Sequence, residues 1–569
     1  MSTKFHDQAS RDRFVRELDM NFSVRAAAGA GKTTAIVQRV VTLATSERAA
    51  ETVPRLVVVT YTVKAAEEMK QRARTEILKV AAKGGARGVE AANRLNRAFF
   101  GTIHSFCLLL LRRFGPMAGL LVEAGSESRG NELWLEFVRT EAEDESLIPR
   151  DLRRDLLKVV EWKDVLKTAA QLAASSVDWK TYCDRNPAIL HPAARAALVL
   201  DPAALDAVQA TRKGTSAELC DKWKTKWRQF ATLWNDPAAQ YVPPLGYDGR
   251  GGAEMVREMG RMRDAVDEWT GRAILALAVD LALRFERLRW RRGLITFQDQ
   301  INGVLRLLQS RDALRAIRRE GYRVLLDEAQ DTDPKQFEIL TQIVRPENAE
   351  ARPWTDSKKD PPGPGRFCMV GDPQQCIYSS RASLAVYEDY HNALISTPAG
   401  AELTFDVTCR CGREIIGLVN GVFPALLDGR EGQAGFVRLQ EKPGVHEAQV
   451  VRLRLTRELL GLEGDPEGIS KDRAVLAEAR WLARWVREKG GRNLGAQGLG
   501  GVAVLFARKE GGTVFHEGFL KENVPAQLFS GLGTNRGEPA YLWLTALLKV
   551  VLRPDDEYEL AGVLREIFG

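Results

Sequence analysis

The segment RAAAGAGKTTA at residues 25–35 restricts the fold most, because it sets a run of small residues between a predicted strand and a predicted helix. Small residues let backbone N–H groups close around phosphate oxygens, and the following helix presents its positive end to them. Lys32 is expected to neutralise the β- and γ-phosphates of ATP, and Thr33 to bind Mg²⁺. The residues expected at the nucleotide are Ala28, Gly29, Ala30, Gly31, Lys32, Thr33 and Thr34. The pattern predicts a P-loop in an α/β domain.

The segment VLLDEAQD at residues 324–331 is the expected chemical partner of this loop. Asp327, at the carboxyl end of a predicted strand, is expected to hold Mg²⁺, directly or through water. Glu328 is expected to accept a proton from the attacking water. An exposed acidic turn is the alternative, and the apolar residues before the acids disfavour it. Because Lys32 and Asp327 lie 327 − 32 = 295 residues apart, a large insertion must separate two parts of one core.

The order of predicted elements supplies that insertion. Strands and helices alternate around residues 22–114 and again from 322 onward, which predicts an α/β core with a parallel sheet. Between about 130 and 285 only helical patterns occur. One of them sets Trp223, Trp227, Phe230 and Trp234 on a single helical face. We interpret that stripe as core, with a base-stacking surface as the alternative.

Composition restricts the partners. Lys and Arg exceed Asp and Glu by 82 − 75 = 7, which permits a polyanionic partner. The segment 284–293 is rich in arginine, and two interpretations of it are equally supported: a solvated helix face, and an edge that contacts phosphate. No apolar run is long enough to span a membrane, and the N-terminus lacks a signal-peptide core, so we expect a cytoplasmic protein without a membrane partner. The proline-rich segment 352–367 is expected to be a mobile surface loop.

Seven segments, in this order along the chain, resemble the motifs of the UvrD/RecB family of DNA helicases, and most closely its RecB/AddA branch. They are VVVTYTVKAAEEMKQR, GTIHSFC, LITFQDQINGVLRLL, LLDEAQDTDPKQFEIL, MVGDPQQCIYSSRAS, VTCRCGREIIGLVN and GVAVLFARK. The resemblance implies a RecA-like domain with a large helical insertion, followed by an incomplete second RecA-like domain. The implied boundaries are 1–114 with 286–395 for the first domain, 115–285 for the insertion, 396–552 for the second domain, and 553–569 for the start of a truncated further insertion.

The resemblance also implies roles for single residues. Gln8 matches the residue that reads adenine, Gln375 the sensor of the γ-phosphate, and Arg410 the arginine that contacts that phosphate. Together with Lys32 and Glu328, Gln375 and Arg410 form the implied catalytic set. The positions implied to line the path of single-stranded DNA are Thr60, Tyr61, His104, Ser105, Tyr378 and Arg381. For His104 by itself, a histidine in a capped turn is the alternative.

The chain departs from the family pattern at several positions. Cys409 replaces the aromatic residue that stacks on adenine, Ser380 replaces one that stacks on a DNA base, and Ala382 replaces a glycine. Two later family motifs are not found before Gly569, one of them carrying a second arginine for the γ-phosphate. We therefore expect this chain by itself to bind ATP and DNA but to unwind duplex poorly.

Two functions remain open at this point. The first is an ATP-dependent helicase or translocase that moves 3′-to-5′ on single-stranded or 3′-tailed duplex DNA, in repair, recombination or defence against phage. The alternative is a truncated or repurposed ATP- and DNA-binding subunit that serves a nuclease or a second helicase subunit. A P-loop kinase or a transporter ATPase is disfavoured by the DEAQD and GDPQQ segments.

Overall fold

The structure, a computed structural model, describes most of the chain. The described residues are 5–84, 86–120, 130–140, 150–174, 179, 183, 192, 195–209, 215–250, 253–357, 359–376, 384–430, 433–444, 448–456, 458–460, 471–495, 498–506, 510–528, 547 and 551. The chain divides into two compact units. The first comprises Met1–Arg410 with Val419–Val445, and the second comprises Cys411–Leu418 with His446–Gly569.

A six-stranded parallel sheet organises the first unit. Its strands are β1 Asn21–Ala26, β2 Leu56–Thr60, β3 Phe99–Thr102, β4 Arg323–Leu326, β5 Phe367–Gly371 and β6 Gly400–Phe405. Their order across the sheet is β3-β2-β4-β5-β1-β6, and every neighbouring pair is parallel. Sequences such as LVVVT in β2 are buried at every position, as expected for a sheet covered on both faces. The predicted α/β fold with a parallel RecA-like sheet is confirmed.

Helices cover this sheet and form the insertion. The described helices of the first unit are α1 Gln8–Arg16, α2 Lys32–Thr45, α3 Ala49–Thr52, α4 Val63–Gly84, α5 Ala86–Arg94, α6 Ile103–Phe114, α7 Gly130–Thr140, α8 Arg150–Leu157, α9 Trp162–Ala174, α10 Thr215–Asn235, α11 Ala253–Arg291, α12 Phe297–Gln309, α13 Arg311–Arg319, α14 Pro334–Gln342, α15 Trp354–Ser357 and α16 Leu384–Ile395.

The region from 115 to 285 contains helices and loops and no strand among its described residues, and it has a core of its own. The long helix α11 packs against α8 and α9. Trp223, Trp227 and Trp234 of α10 are almost fully buried in this core, and the rings of Trp227 and Trp234 both stack on Phe230. Interpreting the aromatic stripe as core was therefore correct, and these rings are not available to stack on bases.

Two details differ from the sequence-based expectations. Strand β6 lies beyond the predicted domain boundary at residue 396, yet it pairs in register with β1 and extends the first sheet. The segment 352–367 is not a loose loop in its described part, because Trp354 is buried and the guanidinium of Arg345 donates to the carbonyl oxygens of Arg352, Lys359 and Asp360. Neither contact has a local sequence signature.

Arginines of the segment 284–293 form ion pairs within the protein. Arg289 is buried and forms an ion pair with Asp299 at 2.6 Å. Arg292 forms an exposed ion pair with Glu136 at 2.7 Å. These two side chains therefore link the end of α11 to its neighbours.

The second unit is described in fewer places. Its principal helices are α18 Lys471–Asn493 and α19 Glu510–Lys521, while α17 Arg413–Val422 begins in this unit and ends in the first. The strand predicted within 501–509 is not formed in its described part, residues 501–506, and no described strand pairs with these residues. A short parallel pair, β7 Val407–Thr408 with β8 Gln440–Glu441, belongs to the first unit. No helix among the described residues is long and apolar enough to cross a membrane.

Candidate nucleotide and DNA site

The parallel sheet brings the predicted site residues to one edge. The phosphate loop follows β1, Tyr61 follows β2, Asp327 follows β4, and Asp372 follows β5. Carboxyl ends of parallel strands share one edge of the sheet, where α/β proteins bind ligands. The residue pairs predicted to act together, although hundreds of positions apart in sequence, therefore lie on the same side of the fold.

The phosphate loop has the backbone that its glycines permit. Gly29 and Gly31 adopt φ values of 72° and 78°, a region that residues with a Cβ rarely enter. A Cβ on Gly29 would lie 2.6 Å from the Cβ of Arg410 and from Oγ1 of Thr408. The carbonyl of Gly29 accepts a hydrogen bond of 2.8 Å from the Cys409 N–H. The structure thus brings the segment of Arg410 directly beside the loop.

Lys32 and Glu328 meet at this edge. Lys32 is buried at the first position of α2, and its Nζ lies 3.0 Å from Oε2 of Glu328. Glu328 itself adopts a left-handed backbone with φ 50°, which is uncommon for a residue other than glycine. Backbone strain of this kind clusters at functional sites.

Asp327 is the buried acid of the site. The side chain is 6% exposed, and its Oδ1 has no hydrogen-bond partner among the described residues. Burial, helped by the neighbouring charge of Glu328, raises the pKa of Asp327 to about 7, although Lys32 opposes the shift. A buried carboxylate oxygen without a partner at a strand end fits a hard cation such as Mg²⁺. Thr33 and Asp327 are the residues that would hold it.

Gln330 and Asp372 form a network that the sequence-based assignment missed. Gln330 donates from Nε2 to Oε2 of Glu328 at 2.9 Å, and its Oε1 accepts from the Asp372 N–H at 2.9 Å. Gln375 donates from Nε2 to Oδ2 of Asp372 at 2.7 Å. Burial raises the pKa of Asp372, while its bond from Gln375 opposes this. Gln330 thereby links the predicted base, Glu328, through Asp372 to the predicted phosphate sensor, Gln375. Gln330 lies in the DEAQD segment and Asp372 lies in the GDPQQ segment.

Gln8 opens helix α1, and its amide Nε2 donates to Oδ1 of Asp12 at 2.8 Å. That bond uses one of the two Nε2 hydrogens of the side chain that is predicted to read adenine. Cys409 is exposed. Its small side chain leaves uncovered the position where the family pattern has an aromatic ring.

The residues predicted to contact DNA differ in exposure. Tyr61 is 51% exposed, whereas Thr60 is buried and accepts from the Thr62 N–H. The ring of His104 packs against Phe297 with centroids 5.0 Å apart. Phe297 is 52% exposed, so this aromatic pair reaches the surface. Phe297 was not among the predicted residues, although it stands in the quoted LITFQDQ segment.

The remaining predicted DNA residues have mixed outcomes. Ser105 is exposed in the first turn of α6, where its N–H donates to Oγ1 of Thr102 and thereby caps the helix. Tyr378 and Arg381 lie outside the described residues. Their contribution to a DNA path stays a prediction.

Comparison of the sequence with known proteins identifies the family of this chain. Residues 8–392 match the family described as UvrD/REP helicase N-terminal domain. The chain is similar to proteins that are named as subunits of an ATP-dependent helicase/nuclease, from Carboxydothermus hydrogenoformans, Anoxybacillus flavithermus and Desulforudis audaxviator. The identities are 24%, 25% and 26%, over 95%, 95% and 96% of this chain and 51%, 51% and 52% of those proteins. The chain thus spans about half the length of the curated relatives it matches. Since the family match covers most of its residues, the chain belongs to the UvrD/REP helicase family.

Proposed function

We propose that this chain binds and hydrolyses ATP with Mg²⁺, and that hydrolysis moves it 3′-to-5′ along single-stranded DNA. The observation that carries the proposal is the meeting of Lys32, Asp327 and Glu328 beside the glycine loop at one edge of a parallel sheet. This set combines a phosphate-binding cation, a metal-binding carboxylate and a general base.

The residues divide the chemistry of hydrolysis among them. The loop amides and Lys32 bind the phosphates, and Glu328 takes a proton from the attacking water. Because Lys32 and Glu328 are within ion-pair distance, movement of Lys32 toward a phosphate releases the carboxylate to act as a base. Gln330 holds that carboxylate in place through Nε2. Mg²⁺, bound by Thr33 and Asp327, would neutralise the charge that develops on the phosphate oxygens.

Arg410 and Gln375 complete the proposed catalytic set. Arg410 follows the Cys409 N–H that bonds the loop, so its side chain leaves the backbone beside the phosphate loop. Gln375 contacts Asp372, which contacts Gln330 in turn, so a change at the phosphate can reach the loop after β5. That loop leads toward Tyr378 and Arg381, which we propose as DNA contacts.

DNA would lie along exposed aromatic side chains near the same edge. Tyr61 and the His104–Phe297 pair provide surfaces on which bases can stack without regard to sequence. We propose that the chain acts in the cytoplasm, in repair, recombination or defence against phage. Its relatives are named as parts of a helicase/nuclease, which supports a partner that is a nuclease or a second helicase subunit.

A second function is an ATP- and DNA-binding subunit with little helicase activity by itself. Cys409, exposed in place of a stacking aromatic, favours this alternative because it removes a contact to the base. Both functions predict nucleotide binding. They differ in turnover and movement.

The deciding experiment measures ATP hydrolysis by the purified 569-residue chain with and without single-stranded DNA. Displacement of streptavidin from a biotin at either DNA end then gives the direction of movement. We expect DNA to stimulate hydrolysis, streptavidin to be displaced from the 5′ end alone, and Lys32→Ala to abolish both. DNA binding without stimulated hydrolysis would favour the subunit role. Failure to bind ATP would refute both.

A further inference from the structure

A buried ion pair near the N-terminus contacts the phosphate loop from outside the sequence motifs. Nε and Nη2 of Arg11 donate hydrogen bonds to the two carboxylate oxygens of Asp7, both at 2.7 Å. The third nitrogen, Nη1, donates to the carbonyl oxygen of Ala30 at 2.7 Å. Arg11 and Asp7 are both buried, at 9% and 7% exposure, so this guanidinium is fixed rather than solvated.

The same pair also holds the strand that leads to Arg410. Oδ2 of Asp7 accepts from the N–H groups of Asp406 and Val407, at 3.1 and 3.3 Å. Nη2 of Arg11 lies 3.4 Å from the carbonyl oxygen of Val407, and the guanidinium lies 4.7 Å from the ring centre of Phe405. One ion pair thus joins α1, the phosphate loop and the β6–β7 segment.

The contact with Ala30 has a direct consequence for phosphate binding. Ala30 stands between the two glycines with left-handed φ values, so the peptide planes on either side of it can rotate easily. In a trans peptide the C=O and the next N–H point in opposite directions. Anchoring the Ala30 oxygen on Arg11 therefore turns the Gly31 N–H away from Arg11 and toward the opposite side of the loop. The Gly29 oxygen is anchored in turn by Cys409.

We infer that Asp7 and Arg11 are a positioning pair, which holds the phosphate loop in the conformation that receives the phosphates of a nucleoside diphosphate or triphosphate. The inference rests on the proposed nucleotide site, and Asp7 and Arg11 themselves touch no substrate. The charge of Arg11 is balanced by Asp7, so the pair acts through geometry and not through attraction of phosphate. A lysine at position 11 can supply the positive charge, but it cannot reproduce the planar set of hydrogen bonds that the guanidinium donates to Asp7 and Ala30.

The test is equilibrium binding of a fluorescent ADP analogue to the 569-residue chain, at a temperature where thermal melting shows each variant folded. We expect Arg11→Met to weaken ADP binding roughly tenfold or more, the scale of one charge-assisted hydrogen bond. Arg11→Lys should fall between Arg11→Met and the wild type. The matched control is Arg13→Met, because Arg13 forms an exposed i,i+4 pair with Glu17 on the same helix. It should bind ADP within about twofold of wild type, as exposed pairs contribute little.

Removing Arg11 leaves a buried carboxylate without its partner, so this variant can fail to fold. The double variant Asp7→Asn/Arg11→Met removes both charges, retains an acceptor for the N–H groups of Asp406 and Val407, and should show the same loss of ADP affinity. Wild-type affinity in either folded variant would overturn the inference while leaving the ATPase proposal intact. A wild-type chain that does not bind ADP, or binds it equally well after Lys32→Ala, would overturn the proposed function as well.

Discussion

Asp327, at the edge of the sheet, and Asp299, at the base of the helical insertion, are equally buried, with 6% and 5% exposure. Asp299 has two partners within the protein: its Oδ2 accepts from Arg289 Nη1 at 2.6 Å and from the Thr296 N–H at 2.9 Å. Asp327 keeps an oxygen without a described partner, and its pKa is raised to about 7. A buried acid with its partners built in serves the fold, whereas one with an unpartnered oxygen at a strand end is a candidate for binding a ligand.

The first prediction tests the functional side of this comparison and has the largest expected effect. Glu328→Gln should lower the turnover number about 10²- to 10⁴-fold, the usual contribution of a general base, while ATP binding persists. Lys32→Ala should abolish turnover and also weaken ATP binding, because it removes a phosphate contact. Nucleotide titrations beside steady-state hydrolysis separate the two effects. Wild-type turnover in Glu328→Gln would refute the assignment of the base.

The second prediction tests the structural side. Asp299→Ala leaves Arg289 buried without its carboxylate, which should lower the free energy of unfolding by about 3–5 kcal/mol. Urea denaturation monitors this loss. The control is Glu136→Ala, which breaks the exposed pair with Arg292 and should cost less than about 1 kcal/mol. In folded protein, the KM for ATP should stay unchanged for both variants. A raised KM with undiminished stability would place Asp299 in the nucleotide site instead.

Much of this arrangement could be predicted from sequence, because local patterns carry it. The glycine loop, the acids after β4 and the aromatic stripe of α10 are each fixed by spacing within a few residues, and the structure has all three as expected. The segment DEAQD also contains Gln330, but the presence of a glutamine does not indicate that its side chain will bond to both Glu328 and Asp372.

Contacts between distant segments could not be predicted. The pairing of β6 with β1 joins residues almost 400 positions apart, and the sequence of a strand does not indicate which strand it will pair with. The Asp7–Arg11 pair resembles an ordinary i,i+4 surface pair in sequence and is distinguished by its burial and by its contacts with Ala30, Asp406 and Val407. The segment 352–367 has the composition of a loose loop, and the arginine that fixes it precedes it.

The third prediction concerns pH and follows from the raised pKa of Asp327. The folded protein holds the proton of this group up to about pH 7, while the unfolded chain releases it near the ordinary value of 3.8. Its contribution to stability is therefore fully present below the unfolded pKa and is lost as pH rises to about 7, by at most about 1.4 kcal/mol per pH unit.

Asp327→Asn removes this titration, so its stability relative to wild type should increase between about pH 5 and pH 8 in urea denaturation without Mg²⁺ or nucleotide. For the wild type, the affinity for Mg²⁺ in the presence of ATP should fall below pH 7, because the metal requires the carboxylate. A pH-independent difference between the two proteins would show that Asp327 is ionised throughout. It would then belong with Asp299 as a satisfied acid.

The last prediction has the smallest expected effect and concerns the uncovered base. Cys409 is exposed, and its N–H is fixed to the Gly29 oxygen, so a side chain at this position starts from a backbone already anchored beside the phosphate loop. Cys409→Tyr should restore a stacking surface and tighten ATP binding by about 1 kcal/mol, the low end of what aromatic stacking on a base contributes. GTP should gain from stacking as well, so the preference between the two nucleotides, which we assign to Gln8, should change little.

Cys409→Ser serves as the control, because it alters the side chain without adding a ring. Titration of both nucleotides against the three proteins measures the effect, and an unchanged ATP affinity in Cys409→Tyr would show that another side chain already covers the base.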